Sequence, residues 1–82
     1  MPPLVNGRWP IVGELRDIEV FASGRGIRDL PRLVELHGGK NWRKCKGFGY
    51  IRLDGGEVVA CEIHWYEAHG VGKVELKVKE WL

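Results

Sequence analysis

Three residues, Asp54-Gly55-Gly56, separate the runs WRKCKGFGYIRL (residues 42–53) and EVVACEIHWYE (residues 57–67). Both runs are rich in aromatic and β-branched residues, and an Asp-Gly break between two such runs is a hairpin signal. A three-residue loop, a type I turn followed by a bulge glycine, sets Leu53 opposite Glu57. In that register Ile51 faces Val59, Gly49 faces Cys61, Gly47 faces Ile63 and Cys45 faces Trp65, which makes one side of the hairpin apolar. Lys44 then faces Tyr66, Lys46 faces His64, Phe48 faces Glu62, Tyr50 faces Ala60 and Arg52 faces Val58 on the other side. A register slip would change the partners, but not which residues of one strand share a face.

The remaining chain is organised around this hairpin. KVELKVKEWL (residues 73–82) alternates Val74, Leu76 and Val78 against Glu75, Lys77 and Lys79, a third strand reached through a short loop at residues 69–72. Upstream, RDLPRLVELHGG reads as the one helix, with Asp29 as its cap, Pro31 in its first turn and Gly38-Gly39 as its stop. Leu30, Leu33, Val34 and His37 form its apolar stripe. ELRDIEVFA (residues 14–22) is a strand, and residues 1–13, with three of the chain's four prolines, read as an extended arm.

The expected fold is therefore α+β. An N-terminal strand and one short helix precede a three-stranded antiparallel meander, and the helix packs on one sheet face. Eighty-two residues make a single domain, 1–82, near the lower size limit for one hydrophobic core. Four tryptophans fit that limit, because large aromatics give a small core more buried area. No apolar run reaches the ~18 residues that span a bilayer, so a cytoplasmic protein without membrane association is the expectation. Cys45 and Cys61 share a face but lie four positions out of register, which excludes a disulfide and makes them core residues. Cys61 and His64 are three apart on a strand and point to opposite faces, so they do not form a joint metal site.

Net charge is only +2, but residues 36–53 hold Lys40, Arg43, Lys44, Lys46 and Arg52 with no acidic residue. Such a block attracts phosphate. It lies beside a strand face carrying Glu62, His64 and Tyr66, which Glu75, Lys77 and Lys79 join from the third strand. This mixture suits metal-independent cleavage of RNA. A histidine or glutamate takes the 2′-hydroxyl proton, and a second group, His69 or Tyr66, protonates the leaving oxygen. Lys44, Lys46, Arg43, Arg52 and Lys77 are the candidate phosphate ligands, and an aromatic ring can stack a base. Three other readings compete: an ordinary strand histidine bonded to Glu62, a metal held by Glu62, His64 and His69, and a solvated basic face without chemistry.

LVELHGGKNWRKCKG and EIHWYEAHGVGKVELKVKEWL together resemble terminal modules of bacterial polymorphic toxins and phage head proteins, related to RelE-like and barnase-like ribonuclease toxins. The resemblance spans residues 33–82 and rests on Gly38, Gly39, Trp42, Lys44, His64, Trp65, Tyr66, Glu75 and Lys77. It implies a helical layer on an antiparallel sheet and a small RNA-directed endoribonuclease of RelE-like toxin type. His64 would be its acid–base group, with His69 or Tyr66 as partner, and no cofactor would be needed. RNA, an antitoxin or a second copy of the chain are the implied partners. The alternative function is a non-catalytic module of phage or mobile-element origin that binds nucleic acid or protein.

Overall fold

The computed structural model describes residues 11–82. Strand β1 (Ile11–Ser23) leads through a 3-10 turn (Gly24–Gly26) to helix α1 (Leu30–His37). Strands β2 (Lys40–Arg52), β3 (Val58–His69) and β4 (Gly72–Trp81) follow. The sheet order is β1-β2-β3-β4, with every neighbouring pair antiparallel. No helix of the described residues is long and apolar enough to cross a membrane.

The expected N-terminal strand beside a separate three-stranded sheet is thus corrected to one four-stranded meander. β1 hydrogen-bonds to β2 from Ile11 opposite Ile51 to Ser23 opposite Arg43. Without it the outer edge of β2 would expose a full row of backbone donors and acceptors. The arm is corrected as well: residues 11–13 belong to β1, and residues 1–10 lie outside the described residues. The helical layer implied by the resemblance reduces to one eight-residue helix beside strands of 13, 13, 12 and 10 residues.

β1 uses more residues than β2 over the stretch they pair. From Ile11 to Ser23 it takes twelve residue steps, where β2 takes eight from Ile51 to Arg43. The excess is absorbed at three register shifts, and Asp17 adopts a left-handed φ of 52° within the second, between Arg16 and Glu19. Bulges bend a strand and increase its twist. β1 accordingly curls across the apolar face of the sheet, and the glycines of β2 receive it. A Cβ built on Gly49 would sit 2.7 Å from Leu15 Cδ2, and one on Gly47 would lie 3.3 Å from Ile18 Cγ1. The space at Gly49 is therefore filled by Leu15, and that at Gly47 by the Trp65 ring together with Ile18 and the Arg16 carbonyl, not by the helix.

This face holds the larger core: Cys45, Ile51, Cys61, Ile63, Trp65, Leu76 and Val78, with Ile11 and Leu15 against it. The β2–β3 register is the one expected from the turn, from Lys44 opposite Tyr66 through Arg52 opposite Val58. The turn closes with Gly56 N–H donating to Leu53 O and with Gly56 at φ 90°.

Helix α1 lies on the opposite face, at one end of the sheet. The strand ends there carry Trp42 and Ala68, and Leu33 and Ile27 complete a second core with them. Trp42 and Trp65 are both almost fully buried. Burying a side chain of that size is worth about 4–6 kcal/mol, a large share of what an 82-residue chain can gather. Of the expected helical stripe, Leu33 is buried, Leu30 and His37 are half-buried, and Val34 is exposed. Gly38, at φ 68°, ends the helix, and its carbonyl accepts Trp42 Nε1–H at 2.9 Å. Asp29 makes no capping bond with its side chain. Its carboxylate instead meets Tyr66 and Arg32.

Candidate functional site

The helix-bearing face of the sheet contains the candidate site. Glu62, His64 and Tyr66 alternate along β3; Lys44 and Lys46 stand opposite Tyr66 and His64 on β2; Lys77 stands opposite His64 on β4. Period-two alternation and the pinned β2–β3 register bring these five groups together around His64.

His64 Nε2 lies 2.6 Å from Glu62 Oε2, and both side chains are about one-fifth exposed. An ionised carboxylate only accepts, so Nε2 carries the proton and Nδ1 is left as the acceptor of neutral His64. Phe21 of β1 meets the imidazole edge-on, with ring centroids 5.3 Å apart. Lys44 Nζ lies 5.4 Å from the Phe21 centroid and 5.7 Å from that of Tyr66, while Lys46 Nζ is 5.7 Å from Phe21. These are cation–π distances, so the two rings help hold cationic charge on the face.

Between β3 and β4 this face opens into a small cavity of about 60 Å³ lined by Lys44, His64, Trp65, Tyr66, Glu75, Lys77 and Lys79. Lys44, Lys77 and Lys79 form no ion pair among the described residues. Lys46 reaches Glu19 at 3.8 Å, a loose and solvent-exposed contact.

Glu75 is the acidic member of the lining, and its charge is already committed. It sits at a left-handed φ of 53° in a β4 irregularity opposite β3, which turns its carboxylate toward the helix. Arg32 donates to both carboxylate oxygens at 2.9 Å, and His37 Nε2 lies 3.1 Å from one of them. The Arg32 bond, and then that of His37, holds the Glu75 carboxyl below its ordinary value against the opposing effect of burial. The same contact raises Arg32.

The other expected groups fall elsewhere. Tyr66 lines the cavity, but its hydroxyl donates to Asp29 Oδ2 at 3.2 Å. Burial first, and then Asp29, push its pKa up. His69 is exposed at the end of β3, opposite Lys40, about 16 Å along the strand from His64. Arg43 points to the other face, where it donates to Glu67 at 3.0 Å. Glu67 also accepts Trp65 Nε1–H at 2.8 Å, and that bond is the main reason its carboxyl is held low. Arg52 lies at the turn end of β2, bonded to Gly56 O. No three His, Cys, Asp or Glu side chains gather as a metal-ligand set among the described residues, which separates His69 from the Glu62–His64 pair.

Sequence reasoning missed Phe21 and Arg32. Phe21 has the same parity as Glu19 within its strand, and that parity was its available signal. Arg32 gave none, because its role depends on the helix lying over this face. No protein-family model, curated protein or solved structure matches the chain.

Proposed function

We propose that this is a small RNA-directed protein that holds single-stranded RNA across the β1–β4 face around His64. The observation that carries the reading is the arrangement of Lys44, Lys77 and Lys79, without acidic partners among the described residues, beside the half-exposed rings of Phe21 and Tyr66. Lysines track a phosphate backbone while aromatic rings stack unpaired bases, and that combination is how single strands are held without strong sequence preference. The +2 net charge matters less than this grouping on one face.

Binding of a labelled oligoribonucleotide over a range of salt concentrations tests the reading. Engagement of about three or four lysines gives a slope of log K against log salt of about −2 to −3. Absence of binding at low salt, or binding indifferent to salt, would remove RNA as the ligand.

The 2.6 Å Glu62–His64 contact favours a second reading, metal-independent cleavage. Nδ1 of neutral His64 takes the 2′-hydroxyl proton as the 2′-oxygen attacks phosphorus. The 5′-oxygen leaves, giving a cyclic phosphate end, and the lysines offset the extra charge on phosphorus. With Tyr66 bonded to Asp29 and His69 remote, the leaving oxygen takes its proton from water. Cleavage in EDTA that disappears in His64→Ala supports this reading. RNA binding without cleavage leaves a non-catalytic module.

A further inference from the structure

The cavity between β3 and β4 has the charge of a site for one phosphate group. At about 60 Å³ it has room for one, and three of its lining residues are lysines. Its remaining walls explain why an anion is accepted. The Glu75 carboxylate would repel phosphate, but the two 2.9 Å bonds from Arg32 and the contact with His37 neutralise it. Tyr66 turns its hydroxyl away toward Asp29, so its ring forms a wall and Lys44 lies over that ring. His64 is oriented by Glu62 at the boundary of the cavity, with Phe21 on its far side toward β1. The lysines therefore form no ion pair among the described residues, and the half-exposed ring of Phe21 lies beside Lys44, 5.4 Å from its Nζ.

From this geometry we infer that the cavity lined by Lys44, His64, Lys77 and Lys79 is a subsite for a single phosphate, and that Phe21 is the platform for the base attached to it. The inference rests on the RNA reading and sharpens it. The strand runs across the sheet from β1 toward β4, perpendicular to the β-strands, and the smallest ligand to fill both places is a nucleoside monophosphate.

Amide and side-chain resonances followed by NMR during titration with inorganic phosphate, adenosine and adenosine 3′-monophosphate test it, using the wild-type chain and the exposed variants Lys77→Ala, Phe21→Leu and Arg25→Ala. Inorganic phosphate should shift Lys44, His64 and Lys77 and leave Phe21 in place, whereas the monophosphate should shift all four and bind more tightly. Loss of one charge-assisted bond in Lys77→Ala should weaken both phosphate ligands about tenfold. Phe21→Leu should weaken the monophosphate about tenfold without affecting inorganic phosphate. Arg25→Ala, in the 3-10 turn and not part of the cavity lining, should match the wild type.

Phosphate-induced shifts centred on Arg52 or Arg43, or equal affinities in Lys77→Ala and the wild type, would overturn the subsite. Oligoribonucleotide binding measured on the same variants separates the two levels. If RNA binds with its salt dependence intact and Lys77→Ala has no effect, the subsite falls and the RNA reading survives. If RNA does not bind at all, both fall.

Discussion

Glu62 and His64, two residues apart on β3, point to the same face and meet at 2.6 Å between Oε2 and Nε2. The bond holds the imidazole in place on a face where Lys46 of β2 and Lys77 of β4 stand opposite it. If the protein cleaves RNA, His64→Ala should lower the rate in EDTA by about 10²–10⁴-fold, the usual worth of a positioned acid–base group. Glu62→Gln keeps a partner for the imidazole, so its loss should be smaller. Both side chains are partly exposed, and melting temperatures measured alongside should change little. Undiminished cleavage by His64→Ala would assign the activity to another group.

The glycines of this chain should separate by what surrounds them. A Cβ on Gly39 would lie 2.6 Å from Val71 Cγ2 and 3.2 Å from Ala68 Cβ, at a left-handed φ of 79°. Gly39→Ala adds backbone strain to overpacking and should cost about 2–5 kcal/mol. A Cβ on Gly49 meets the end of Leu15, a side chain that can move, so Gly49→Ala should cost about 1–2 kcal/mol. Gly26 has open space and no positive φ, and Gly26→Ala should lie within about 0.5 kcal/mol of the wild type. Urea unfolding of the three variants measures the order, and a reversal of Gly39 and Gly26 would contradict the placement of the helix stop.

How much of this was legible in the sequence depended on local geometry. The Asp54–Gly56 turn pins β2 to β3, and a period of two then assigns every side chain of that pair to its face. The Glu62–His64–Tyr66 row and its lysine neighbours follow from that alone. β1 was less legible because its extra residues are distributed over three register shifts, and alternation is not maintained across a bulge. Ile18 and Val20, which look like inward positions, are each about half exposed. The helix has a clear sequence signature, but its landing place does not. Trp42 and Ala68 make an apolar patch at one end of an otherwise polar face, and only the assembled sheet brings them together. The left-handed residue at Glu75, which connects the helix to β4, depends on tertiary contacts that no residue type announces.

Acid should unfold this protein partly through Glu75 and Glu67. Both carboxyls are held below 4.5 in the folded state, Glu75 chiefly by Arg32 and Glu67 chiefly by Trp65. A carboxyl with a depressed folded-state pKa adds stability above its unfolded value, and that stability is lost as pH falls through the folded value. The loss therefore begins near pH 4.5 and continues below it. Glu75→Gln should be less stable than the wild type at pH 7 by about 1 kcal/mol, a modest figure because Arg32 is 44% exposed. Its stability should also depend less on pH below 4.5. Chemical denaturation at pH 3, 5 and 7 measures both effects, and parallel pH curves for variant and wild type would show that the Arg32–Glu75 pair contributes nothing in acid.

Cys45 and Cys61 should behave as core residues. Cys45 stands opposite Trp65 and Cys61 opposite Gly49, an offset of four residues, or about 13 Å along the sheet. A disulfide needs α-carbons within about 7 Å, so oxidation should not link them inside one folded molecule. Burial pushes both thiols above 9.0, reducing the thiolate that reacts with alkylating agents. Iodoacetamide at pH 8 should therefore label the native protein far more slowly than the urea-unfolded chain, with the two sites protected together because both belong to the larger core. Cys61 Sγ–H is 3.7 Å from Gly49 O, a weak bond in a site with no room to spare. Cys61→Ser, which substitutes a hydroxyl with a greater need for a partner, should cost about 1–3 kcal/mol. Rapid labelling of either cysteine in the native state would mean that the face covered by β1 opens, and would locate the weakness in the contact of Leu15 and Ile18 with the glycines of β2.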